Sequence, residues 1–70
     1  TGSSIYQPGM IVKHPTQPDW GLGQVQSTVG GKVTVNFRDA GKVVIDEMRV
    51  NLLVVLLING TTWVDSSFLY

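Results

Sequence analysis

Hydrophobic positions along this chain fall in short runs that alternate with polar ones. "KVTVNF" at 32–37 is the cleanest case, with Val33, Val35 and Phe37 on one side and Thr34 and Asn36 on the other. Period-two alternation of this kind marks a half-buried antiparallel strand. Met10–Lys13, Leu22–Thr28 and "KVVID" at 42–46 read as further strands. Turn chemistry separates them. Pro15 stops the first strand and pushes His14 toward an extended backbone, and Pro18, Asp19 and Gly21 punctuate the loop that follows. Gly30-Gly31 is a two-residue hairpin pair, and Asp39-Ala40-Gly41 turns the chain again. Gly23, inside a strand pattern, points to a bulge or a close backbone approach. "EMRVN" at 47–51 is too short for a stable helix and predicts a single helical turn.

The tail does not alternate. "LLVVLLI" at 52–58 is apolar on both faces, so a strand there must be covered on both sides or run between two subunits. A buried helix would also be apolar all round, but the shortness of the run and its Val and Ile content favour a strand. Asn59-Gly60 is a favoured hairpin pair, after which Thr61–Val64 can pair back. A membrane helix needs about 20 apolar residues, far more than this run supplies. Helix signals are nearly absent elsewhere, and the whole pattern predicts an all-β protein, a small barrel or sandwich.

Composition narrows the function classes. At 70 residues the chain is one domain near the lower limit for a self-sufficient core. Self-association is a common remedy at this size. Hydrophobic residues make up 43% and charged residues only 14%, so some apolar surface is expected to be covered by another chain. The tail is the natural place, and Leu53, Val55, Leu57 and Trp63 are the expected self-association residues of a homodimer. Cysteine is absent, which excludes disulfides and Cys-based zinc sites and makes a cytoplasmic location the expectation. Lys+Arg and Asp+Glu are both 5, so the basic excess of a dedicated nucleic-acid binder is missing. Residues 1–4 read as a tag remnant, with neither the basic start nor the apolar stretch of a signal peptide.

The candidate chemistry is sparse. His14 is the one histidine, with only Asp19 near it in sequence, so neither a transition-metal site nor a nucleophilic triad is expected. It reads instead as a residue that hydrogen-bonds the loop backbone, and neither a catalytic residue nor a cofactor is expected. Gly21 and Gly23 flank Leu22; with no helix following, they read as turn glycines rather than a phosphate cradle, as do Gly30 and Gly31. Trp20 has two readings: a plug that buries its ring in the end of a small barrel, or an anchor for a partner's pocket. Lys13, Lys32, Arg38, Lys42 and Arg49 are the whole cationic supply. Gathered at one rim they could meet phosphates, but with the acids interspersed a mixed solvated surface is the expectation. The expected partner-binding set is His14, Trp20, Leu22, Arg38 and Lys42.

"PGMIVKHPTQPDWGLGQVQSTVGGKVTVNFRDAGKVVI" resembles DUF3553, a family of small bacterial proteins of unassigned function, over roughly Tyr6 to Val55. More distantly, the frame Gly-x-x-Val-x-His-Pro, then Gly-x-Gly-x-Val, then Val-x-Val-x-Phe is similar to the Tudor-like C-terminal domain of superfamily 1 repair helicases. It is also similar to the RNA polymerase-interacting domain of CarD-like regulators. These resemblances imply an SH3-like (Tudor-like) barrel of about five strands over 5–55; the tail over 56–70 has no counterpart in them and reads, from its own turn residues, as a C-terminal hairpin extension. They imply a non-catalytic protein-docking module whose partner is RNA polymerase or a repair factor. Nucleic-acid binding through the Lys/Arg rim and Trp20 is the alternative, and a self-associating accessory protein a further one.

Overall fold

The computed structural model describes residues 4–58 and 62–65, and side chains within 4–55. The strands are β1 (Ile11–Lys13), β2 (Gly23–Val29), β3 (Lys32–Phe37), β4 (Gly41–Asp46), β5 (Leu53–Ile58) and β6 (Thr62–Asp65). A single 3₁₀ turn, Pro18–Trp20, lies between β1 and β2. The alternation in "KVTVNF" has its expected physical outcome: Val33, Val35 and Phe37 are at most 1% exposed.

Every pairing is antiparallel, and the strand order is β4-β3-β2-β1-β5-β6. The expected closed barrel is corrected here: the sheet is open, with no β4–β5 pairing among the described residues. The reason lies in β5. It gives only Leu53 and Val54 to β1 and the rest, Val55–Ile58, to β6, so its pairing carries the chain into the tail hairpin rather than round to β4.

The sheet nevertheless gathers one core. Tyr6, Val12, Val25, Val33, Val35, Phe37, Ile45 and Leu52 form a single buried cluster drawn from β1 to β4 and the flanking segments. The register of β2 against β3 shifts between Val25 and Ser27. An extra residue in one strand bends it and sharpens its twist. The bulge expected near Gly23 therefore sits at Gln26. Gly23 itself meets the other expectation, a close approach. A β-carbon there would stand 2.5 Å from Val35 Cγ1 and 2.7 Å from Phe37 Cδ1.

The turns follow local chemistry. Gly30 and Gly31 both have positive φ, +55° and +81°, as a two-residue hairpin turn of the primed kind requires. After β4 the amides of Arg49 and Val50 both donate to the Asp46 carbonyl at 3.0 Å, giving one helical turn. Asp46 Oδ1 accepts the Met48 amide at 3.0 Å and closes that turn. The Tyr6 hydroxyl donates to the carbonyl of Leu52 at 3.1 Å, tying the N-terminal segment to the start of β5.

At the start of the apolar tail, Leu52 and Val55 are 4% and 8% exposed, with Leu53 and Val54 half-buried between them. Both faces are at least partly covered there. The backbones of Leu57 and Trp63 stand opposite each other across β5 and β6. Their side chains lie outside the described residues. Among the described residues, no helix is long and apolar enough to cross a membrane.

Candidate docking groove

The loop between β1 and β2 is held by its own backbone before any side chain contributes. Pro18 starts the 3₁₀ turn, where a missing N–H costs nothing. The Trp20 amide donates to Gln17 O at 3.1 Å and the Gly21 amide to Pro18 O at 3.2 Å. Two further bonds stitch the loop to the β3–β4 turn: Asp39 N–H to Trp20 O at 3.0 Å, and Arg38 N–H to Leu22 O at 2.8 Å. The ladder between β2 and β3 thus continues beyond Gly23 and Phe37 into the loop.

His14 behaves as a loop-fixing residue. Its Nδ1 accepts the Thr16 amide at 3.2 Å and stands 3.3 Å from the Thr16 hydroxyl. Trp20 is half-buried and packs against the core cluster. Its ring meets Phe37 edge-on at 5.1 Å and 62°, and His14 edge-on at 4.8 Å and 64°. Aromatic pairs prefer this arrangement, positive edge toward negative face. The two readings of Trp20 therefore meet: its ring is attached to the core, and its neighbours line the surface.

Gly21 places the cation. Its φ is +75°, and a β-carbon there would fall 2.6 Å from Asp39 Oδ2 and 3.3 Å from the Arg38 guanidinium. A bare backbone lets the Arg38 side chain lie across the loop. Beside it is a groove of about 180 Å³, lined by Lys13, His14, Gln17, Pro18, Leu22 and Arg38 together with Gly21. Neither aspartate nor glutamate lines it, while Lys13 and Arg38 do. Arg38 Nε pairs with Asp39 Oδ2 at 3.3 Å, but the side chains are 72% and 53% exposed. A pair so exposed is screened by water and leaves the guanidinium available to another anion.

Of the expected partner-binding residues, the structure brings His14, Leu22 and Arg38 into this groove, with Trp20 packed against His14. Lys42 is not among them. It pairs with Asn36 across β3 and β4, exposed on the face away from the core. Adjacency to the Asp39–Gly41 turn suggested that Lys42 would join Arg38, but strand alternation sends it elsewhere. Lys13, Gln17 and Pro18 were missed as wall residues. The one signal available was the stiffness of the Pro15–Pro18 stretch, which folds the loop back on the end of β1.

The chain belongs to the family described as "Protein of unknown function (DUF3553)", whose model matches residues 6–55. That span contains the whole of the buried cluster and every residue of the groove. No curated protein matches the chain, and no solved structure does, so the likeness to helicase and CarD-like domains gains no support from these comparisons.

Proposed function

We propose that this member of the DUF3553 family is a non-catalytic docking module that binds a protein segment in the groove beside Trp20. The carrying observation is the combination, on a backbone-stitched loop, of an apolar wall and positive charge, with no carboxylate among the groove-lining residues. Leu22, 38% exposed, and Pro18 form the wall; Lys13 and Arg38 supply the charge. The complementary partner is a segment with an apolar side chain next to a carboxylate. Binding to a pre-ordered loop avoids most of the entropy of ordering it during the encounter.

The connectivity supports a docking module of SH3-like, Tudor-like kind. A meander of four strands is followed by β5 returning beside β1, an open version of the arrangement the resemblance implies. By that same resemblance the partner belongs to the transcription or DNA-repair machinery. Catalysis finds little to work with. His14 Nδ1 is occupied by Thr16, and among the described residues no carboxylate hydrogen-bonds the ring to orient it as a base.

The test is capture from bacterial lysate by wild type, Leu22→Asp and Arg38→Glu, with and without nuclease. A partner retained by wild type after nuclease and lost by both variants supports the reading. Capture that disappears with nuclease, or falls steeply between about 50 and 200 mM salt, overturns it in favour of nucleic acid.

A further inference from the structure

The outer edge of β4 is a second surface, on the far side of the sheet order from β5 and β6. Its pairing with β3 is regular over Lys32–Phe37 and Gly41–Asp46, with no register shift. The Glu47 amide donates to Gly31 O at 3.0 Å while Lys32 stands opposite Asp46. A bond from the residue after Asp46 to the residue before Lys32 makes that a non-hydrogen-bonded pair. Alternation then turns the backbone groups of Gly41, Val43 and Ile45 toward β3, and those of Lys42, Val44 and Asp46 away from it. The Asp46 carbonyl is already taken by Arg49 and Val50. Among the described residues no strand pairs with this edge.

Unpaired strand edges attract other strands, and proteins usually protect them with a bulge, a proline or a charge. β4 has neither bulge nor proline, and Val44 in its middle is 61% exposed. Lys42 is the charge in the position of a guard. It repels a second copy in some registers and not in others. Centring the antiparallel pairing on Lys42 sets lysine against lysine, and centring it on Asp46 sets aspartate against aspartate. Centring it on Val44 sets each Lys42 opposite Asp46 of the second copy, on the same face as the two Val44 side chains.

We propose that the β4 edge is a self-recognition surface, at which two copies of this chain join antiparallel about Val44 into one continuous sheet. The outward groups then form four backbone hydrogen bonds: Val44 N–H to Val44 O in each direction, and Asp46 N–H to Lys42 O in each direction. The two exposed valines cover each other across the two-fold axis, and the like edges become complementary through Lys42 and Asp46. Asp46 already holds Lys32 at 3.1 Å and Arg49 at 3.8 Å, so the second Lys42 shares a carboxylate whose position these cations hold and whose charge they partly offset. None of the groove residues lies on β4, so the proposal is argued from a different surface than the docking function.

Sedimentation velocity up to high micromolar concentration tests it, on wild type, Lys42→Glu, Val44→Pro and Leu57→Asp. Wild type should sediment as a dimer. Lys42→Glu turns two symmetric attractions into repulsions and should weaken the dimer about tenfold or more. Val44→Pro removes an amide that points away from β3, so circular dichroism should be unchanged while the dimer is lost. A monomeric wild type overturns the proposal. So does a dimer that withstands Lys42→Glu, or one that is lost only on Leu57→Asp, which would place the contact on the tail.

Discussion

The indole of Trp20 stands edge-on to the ring of Phe37, with centroids 5.1 Å apart, and Phe37 is among the most deeply buried side chains. The core therefore does not stop at the sheet. It continues through Phe37 into the loop and reaches the surface at His14, so the groove is built on the same contacts that hold the fold.

The first prediction follows from that continuity. Trp20→Ala should destabilise the protein by about 2–3 kcal/mol, less than a fully buried aromatic, because the ring is half-buried. Trp20→Phe should lose less than Trp20→Ala. Denaturant unfolding monitored by circular dichroism checks both. An alanine variant within about 0.5 kcal/mol of wild type would mean the ring contributes nothing to the core.

Gly23 offers a sharper test, because its constraint is space and not backbone conformation. A β-carbon would press on Val35 and Phe37 at 2.5 and 2.7 Å, both buried and unable to retreat. Gly23→Ala should cost about 1–3 kcal/mol as an overpacked core does, and Gly23→Val more. Adding Phe37→Leu should recover part of the alanine penalty, so the double-mutant cycle should show coupling. Strictly additive effects would show that the ring is not the obstacle.

Tyr6 links the N-terminal segment to β5. Tyr6→Phe removes the hydroxyl that satisfies the Leu52 carbonyl and should cost about 1–2 kcal/mol. Burial also pushes the phenol above its ordinary 10.0, and the nearby Glu47 carboxylate adds to the rise. A raised native value means that the folded state holds its proton longer than the unfolded one. That share of stability is complete below pH 10.0 and is lost as pH rises through the native value. Unfolding midpoints followed into alkali should fall more steeply in wild type than in Tyr6→Phe; parallel curves would remove the phenol from the account.

Asp46 acts at the acid end. The Lys32 ammonium bonded to it, and then the Met48 amide, hold its carboxyl below the usual 3.8. The unfolded chain therefore binds the proton first as pH falls. Its contribution is present above 3.8 and disappears as pH drops through the lower native value. Asp46→Asn should flatten the acid limb of the stability curve, and added salt should flatten the wild-type limb by screening this exposed pair. An unchanged acid limb in the asparagine variant would show that other carboxylates set it.

What could be read from the sequence was local. Alternation over Val33, Val35 and Phe37 fixes which face is buried, because successive side chains in a strand must point to opposite sides. The Gly30-Gly31 pair fixes a turn whose two positive φ values few other residues tolerate. The loop-fixing part of His14 was legible too, since its partner Thr16 is two residues away.

Tertiary structure decided whatever depends on strands far apart in the chain. Gly23 is required because Val35 and Phe37 close over it from β3, a contact that no local pattern contains. Arg38 enters the groove because Leu22 and Trp20 accept the amides of Arg38 and Asp39, whereas Lys42 is turned away by the parity of β4. The sheet stays open because most of β5, Val55–Ile58, pairs with β6 in the tail hairpin, and β4 is left at the far end of the strand order. Sequence periodicity sets the face of each residue within its strand. Which faces and edges then meet is settled by register between strands, and register is a property of the assembled core.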